Sequence, residues 1–292
     1  MALDLGVISR SKEYWATKKI LAAIRNSGHT PHYIHTPDIQ LKVGEGEASA
    51  YANEKSLGEL DSVIPRIGRS LTEFGIMMLR HLELMSIPST LSSAGLATAR
   101  NKFLALQGLV DAGVKIPSTV LVASRMSLSD MMDHTPPPFV MKLLSGTQGI
   151  GVIKVEKAKD AGPIMDTLVE LRQLIAVQRF LPNPGEDIRA LVIGDRMVGC
   201  MKRKAAPNEW RSNIHLGGKG VKVRLSSKDE KMAIKAARAL KVEIAGVDLI
   251  ETDDGFYVIE VNASPGFQGL QKAIGIDVAK EIVEYAAEKA HR

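Results

Sequence analysis

The sequence predicts a mixed fold, a parallel α/β unit over about the first 95 residues followed by an α+β region built on hairpins. Three observations predict it. Strand-like and helix-like stretches alternate at the N-terminus, the pattern of a parallel sheet. Farther on, the glycine-rich run from Ser145 to Val152 lies between two strand-like runs instead of opening a helix. Near the C-terminus, two mostly apolar runs, Val247 to Glu251 and Phe256 to Val261, flank Thr252-Asp253-Asp254-Gly255, which reads as a hairpin.

In the N-terminal unit, Leu3 to Ser9 is a buried-strand candidate, and Lys12 to Ser27 has helical spacing with Gly28 as a stop. His32 to His35 and Asp61 to Ile67 supply further strands, and Met77 to Met85 a helix. Ligands collect at the carboxyl ends of such strands. Ser9-Arg10 and Arg66 lie there, either as contacts to an anionic substrate or as solvated loop residues.

One helix is expected from about Thr98 to Ala112, with Lys102 in its first turns and Gly113 at its end. A strand follows Lys115 to Val120, a helix follows Ser127, and Phe139 to Leu144 reads as a strand. Lys142 stands among its apolar residues, which is unusual unless the ammonium has a partner. The adjoining loop contains Gly146, Thr147, Gln148 and Gly149 and leads into a strand from Val152 to Val155. It is neither a Walker A loop nor a dinucleotide fingerprint. It reads either as a flap whose backbone N–H groups approach phosphates or as a simple β-turn.

Helices are expected from Asp160 to Gln173, Ser227 to Leu240 and Asp277 to His291. Ile175 to Leu181 is a strand containing Gln178, Arg179 and Phe180. Glu186 to Asp195 and Val198 to Lys204 form a hairpin in which alternation turns Arg203 away from Lys202 and Lys204. The polar stretch Asn208 to Gly220 offers Arg211, Ser212 and Asn213 to an anion. His215 has no nucleophile motif beside it.

The acidic hairpin carries the chemistry. A three-residue turn with a bulge, closed by Gly255, would put Asp248 opposite Glu260 and bring Asn262 to the same face. A two-residue Asp254-Gly255 turn would slip the register by one and split the set. Two carboxylates and an amide oxygen suit Mg²⁺ or Mn²⁺, which keep positions for phosphate oxygens. The competing reading is a solvated acidic edge.

Composition limits the alternatives. The chain has 292 residues, 45% of them hydrophobic, and a net charge of +5, an ordinary globular balance that does not by itself identify nucleic acid. Aromatics make up only 4%, which disfavours a base-stacking single-strand binder. The lone Cys200 excludes an internal disulfide framework and fits a reducing cytoplasm. The N-terminal stretch does not read as a signal peptide, and no apolar run is long enough to span a membrane.

Taken together, Lys102, Lys142, SGTQGIG, Asp187-Ile188-Arg189, Arg211-Ser212-Asn213, GVDLIE and EVNASPG occur in one order. With VIPRIG and ATARNK, they resemble the RimK family of ATP-grasp α-L-glutamate ligases, which modify ribosomal protein S-six, over nearly the whole chain. The resemblance implies an ATP-grasp fold with an N-terminal pre-ATP-grasp α/β domain (residues 1–96), a central subdomain (97–180) and a C-terminal α+β domain (181–292). It implies ATP, bound by Lys102, Lys142, the glycine-rich loop, Gln178 to Phe180, Asp187 and Arg211 to Asn213. It also implies two Mg²⁺ or Mn²⁺ ions on Asp248, Glu260 and Asn262, and charge stabilisation by Lys142 and Arg203. Arg179 and Phe180 depart from the family's Gln-Glu-Tyr, which puts a side-chain role at Arg179 in question.

The expected reaction activates a carboxylate as an acyl phosphate and joins L-glutamate to a C-terminal glutamate of a ribosomal protein or peptide. The alternative acceptor is a small cofactor or a carrier-protein substrate. A cytoplasmic homotetramer is expected, without a membrane or direct nucleic-acid role. A non-catalytic RNA-binding factor is the rival from another class; the acidic trio argues against it, because carboxylates repel phosphate.

Overall fold

The computed structural model describes residues 1–124, 128–144, 151–182, 185–206 and 219–291. The first unit contains β1 (Asp4–Ser9), α1 (Trp15–Asn26), β2 (Thr30–His35), β3 (Ile39–Gly44), β4 (Glu47–Ala52), β5 (Lys55–Ser56), β6 (Ser62–Arg66) and α2 (Thr72–Leu84). The strands β2, β1 and β6 form a parallel sheet in that order. Leu5, Val7 and Ile8 of β1 are fully buried, and α1 is spaced so that Ile20, Leu21 and Ile24 meet the core. The antiparallel sheet β3-β4-β5 has no counterpart in the sequence reading.

The single helix expected from Thr98 to Ala112 is two helices, α3 (Ser93–Arg100) and α4 (Lys102–Asp111). Asn101 separates them. Its backbone is extended, and its side chain accepts from the N–H groups of Phe103 and Leu104. A side-chain cap of this kind starts a new helix where the periodicity alone would continue the old one. Lys102 therefore stands at a helix start, beside Arg100 at a helix end.

A second unit follows, with β7 (Thr119–Val122), α5 (Leu128–His134), β8 (Phe139–Leu143), β9 (Val152–Val155), α6 (Ala158–Glu170) and β10 (Ile175–Arg179). Its antiparallel sheet has the order β7-β10-β8-β9. A core of its own, including Phe139, Met141, Met165 and Val177, holds it together.

The last unit contains β11 (Glu186–Ile193), β12 (Arg196–Lys204), β13 (Lys219–Lys222), α7 (Ser227–Ala239), β14 (Ile244–Thr252), β15 (Gly255–Asn262), α8 (Gln268–Ile274) and α9 (Val278–Ala290). Its antiparallel sheet runs β13-β12-β11-β14-β15. Alternation along β11 sends Ile188, Ala190 and Val192 into one core and Leu191 and Ile193 into another. Those two cores also hold Ile8 and Leu5, so the first and last units pack as one body. None of the described helices is long and apolar enough to cross a membrane.

Candidate active site

The acidic hairpin β14–β15 turns differently from the sequence reading. Thr252 pairs with Gly255, so the loop is the two residues Asp253 and Asp254, with Gly255 at φ 104°. Continued regularly, that register would set Asp248 against Ile259. A bulge at Ile259 intervenes, and Asp248 pairs with Glu260 and Gly246 with Asn262. The core registers the same event. Val258 and Val261 are three apart, yet both are buried in one cluster with Val247 and Leu249. In a regular strand they would face opposite ways.

Asp248 is 3% exposed and is held by two arginines. Arg189, its partner across β11–β14, donates from Nε and, at 2.7 Å, from Nη2. Arg203 Nη2 lies 3.0 Å from Asp248 Oδ2. Arg203 in turn grips Asp187, its partner on β11, with Nε and Nη2 both at 2.6 Å. Burial alone would push the Asp248 carboxyl up, but Arg189 and Arg203 outweigh it and hold it below the carboxylate range. For Arg203, burial works toward loss of the proton, and Asp248 and Asp187 reverse it. Gly246 makes room for this arrangement: a Cβ there would stand 2.8 Å from Pro265 Cβ and 3.1 Å from Arg189 Nη1.

Lys142 approaches the hairpin from β8. Its Nζ donates to Gln178 Oε1 at 2.6 Å, and Gln178 Nε2 donates to Thr119 Oγ1 at 2.9 Å, a chain across three strands. Burial lowers the Lys142 ammonium to about 8, Glu260 and Asp248 opposing the shift and Lys102 adding to it. Burial also lowers Lys102, against the pull of Glu260. One cavity, lined by Lys102, Lys142, Ala176, Ile259 and Glu260 together with Leu106 and Leu109, joins these groups. Two lysines and a carboxylate from different units thus face a common space.

Asp187 and Arg203 join the cluster through Asp248, whereas Gln178 reaches it by orienting Lys142. Arg179 points elsewhere. It is exposed, its Nη2 donates to Tyr257 Oη at 2.9 Å, and its guanidinium lies over the Tyr257 ring. Lys154 lies over the ring of Phe180 at 4.4 Å. Gly146, Thr147, Gln148, Gly149, Arg211, Ser212 and Asn213 lie outside the described residues.

The donor set fits a hard divalent cation. Glu260 is exposed, and Asn262 Nδ2 donates to the Gly246 carbonyl at 3.3 Å, so its amide oxygen is the atom that could face a cation. A carboxylate has about four lone-pair positions, so three arginine bonds do not exhaust Asp248. Arg189, Arg100 and Tyr257 were not assigned roles from sequence. For Arg189 a signal existed: Asp187 and Arg189 are two apart on a strand, so they share a face.

Residues 99–286 match the family model of the RimK-like ATP-grasp domain, and residues 3–96 match that of the RimK PreATP-grasp domain. The chain belongs to the RimK-like ATP-grasp family. Relatives named probable alpha-L-glutamate ligase include one from Rhodopirellula baltica, 38% identical over 97% of this chain and 70% of the relative. Another, from Shewanella denitrificans, is 35% identical over 99% of both chains. The fold also matches the ATP-grasp ligase PsnB, solved with a phosphomimetic variant of its minimal precursor, Mg and ADP. The TM-score is 0.77 with 18% identity, covering 99% of both chains. This RimK-like chain is therefore an ATP-dependent ligase with an ATP-grasp fold and an N-terminal pre-ATP-grasp unit.

Proposed function

We propose that the protein joins L-glutamate to the C-terminal glutamate of a peptide or ribosomal protein through an acyl phosphate. The observation that carries this reading is the common cavity of Lys102, Lys142 and Glu260, beside the Asp248–Glu260 pair. Cationic and anionic groups converge there as a nucleoside triphosphate with its counter-cation requires. The names of these relatives support glutamate as the amino acid.

In the proposed reaction the acceptor carboxylate attacks the γ-phosphorus of ATP, and ADP leaves. The amine of L-glutamate attacks the resulting acyl carbon, phosphate departs with the C–O bond, and the amine loses its proton as the amide forms. Lys102 and Lys142 neutralise phosphate oxygens, and Gln178 fixes the direction of the Lys142 ammonium. Arg203, oriented by Asp187, is assigned to stabilising charge on the transferring phosphoryl group. Asp248, Glu260 and Asn262 would hold Mg²⁺ or Mn²⁺, as two ions, which neutralise developing phosphate charge when bound. Gln178, Arg179 and Phe180 are assigned to the adenine through their backbone, and Asp187 to the nucleoside. On sequence, Gly146, Thr147, Gln148 and Gly149 are assigned to the triphosphate, and Arg211, Ser212 and Asn213 to the nucleotide and acyl-phosphate site. The division into units at residues 96 and 180, a homotetramer and a cytoplasmic location complete the proposal.

Mass spectrometry tests it directly. Ribosomal proteins and peptides ending in glutamate, incubated with ATP, Mg²⁺ and L-glutamate, are expected to gain glutamyl units as ADP is released. ADP release that ignores glutamate under every acceptor condition would falsify the assignment.

A further inference from the structure

The reaction site accounts for Lys102, Lys142 and Arg203, but two further arginines converge beside it. Arg66 ends β6, at the carboxyl edge of the parallel sheet. Its Nη2 donates to the Pro265 carbonyl at 2.7 Å, and its guanidinium lies 5.9 Å from the centre of the Phe267 ring. Arg100 ends α3, and its Nη2 donates to the carbonyl of Ile67, the residue after Arg66. Among the described residues, the Nε of Arg100 is buried and has no hydrogen-bond partner, and the same holds for the Oγ of Ser264. Ser264 is two residues beyond Asn262.

Among the described residues, neither guanidinium is paired with a carboxylate at contact distance. Burial drives the Arg66 proton affinity down to about 10, and the charge of Arg100 adds to the effect. Arg100 is lowered by burial too, with Arg69 repelling it and Glu260 opposing. Two neighbouring cations, a buried orphan N–H and a buried orphan hydroxyl make an arrangement that costs free energy as it stands. An anion placed between the guanidiniums would balance their charge and accept from the Arg100 Nε–H. Glu260 is the anion that acts on Arg100, and its own assignment is to a cation.

We propose that Arg66, Arg100 and Ser264 bind the side-chain carboxylate of a glutamyl substrate. The inference rests on the glutamate-ligase reading of the adjacent site. A planar guanidinium fork recognises a carboxylate through paired hydrogen bonds, which an ammonium cannot reproduce. A glutamyl group has two carboxylates on a short carbon chain, and Ser264 and Pro265 follow the proposed metal ligand Asn262 within three residues. One carboxylate at the phosphoryl site and the other between the arginines would make terminal glutamate, and not glutamine, the preferred residue. Replacing that carboxylate by a neutral amide leaves the half-buried cations without an anion, the kind of mismatch that supports discrimination.

The chemistry suits either the acceptor's terminal residue or the free donor, so the experiment carries both arms. Calorimetric titrations use the full chain with Mg²⁺ and a non-hydrolysable ATP analogue. One pair of ligands is a short peptide ending in glutamate and its counterpart ending in glutamine. The other pair is free L-glutamate and L-glutamine. In at least one pair, the carboxylate ligand is expected to bind roughly tenfold to a hundredfold more tightly. Whichever pair discriminates identifies the source. Arg100→Met is expected to erase the discrimination, and Arg66→Lys and Arg100→Lys to reduce it, while the affinity for the ATP analogue stays at the wild-type value and confirms folding. Absence of discrimination in both pairs overturns the inference, as does discrimination that survives in all three variants. Discrimination without any ATP-dependent ligation would leave the arginine site standing and remove the ligase reading instead.

Discussion

Asp248 and Glu260 stand opposite one another because Ile259 is the extra residue of a bulge in β15. The tight loop at Asp253-Asp254 dictates one register, and the buried Val247 and Val261 require another. The bulge reconciles them and in doing so places both carboxylates on one face.

Glu260 is the more available of the two acids, since Asp248 is already gripped by arginines. Glu260→Gln is expected to retain ATP binding and to lose turnover on the order of 10²–10³-fold or more. Rapid-quench assays of ADP formation, alongside equilibrium nucleotide binding, separate the two effects. Wild-type turnover in this variant would remove Glu260 from the metal site.

Lys142 predicts a pH dependence. Its ammonium is lowered from 10.5 to about 8, burial being the largest cause. Between those values the unfolded chain holds more protons than the folded one, so this lysine makes the stability of the free protein rise with pH. Nucleotide binding runs the other way, because a phosphate needs the charged form. Affinity for ATP is expected to weaken as pH rises above 8, by up to about tenfold per pH unit. Lys142→Arg is expected to flatten the profile, and Lys142→Ala to weaken binding at every pH. Calorimetric titration from pH 7 to 10 reads both.

The Asp187–Arg203–Asp248 chain is a buried ionic network. Arg203→Met removes a charged partner from both Asp187 and Asp248 and is expected to destabilise the fold by about 3–5 kcal/mol. Asp187→Leu combined with Arg203→Met is expected to recover much of that stability without recovering turnover. Urea denaturation and steady-state kinetics on both variants test the two halves of the statement.

Arg179 is surface-exposed and engages Tyr257, so its side chain serves the contact between β10 and β15. Arg179→Ala is expected to cost no more than about 1 kcal/mol of stability. The KM for ATP is expected to stay unchanged, since the adenine is assigned to backbone groups. A large rise in that KM would place the guanidinium in the nucleotide site.

The sequence alone determined the alternation of β1, α1, β2 and β6, the separate hairpins, and which side chains offer oxygen atoms to a cation. Hydrophobic period and residue chemistry are local properties, and short windows carry them. Asp248, Glu260 and Lys142 stood out for that reason, and Lys102 through the family resemblance. Tertiary structure decided the rest. The Ile259 bulge depends on core packing between distant strands, and the helix break at Asn101 on a capping bond that competes with a continuous apolar pattern. That Arg189 holds Asp248, that Gln178 aims Lys142, and that Arg100 bonds the carbonyl beside Arg66 are facts about residues tens of positions apart. Their proximity is set by how sheets pack, and buried charge acquires its meaning only from the neighbours that packing supplies.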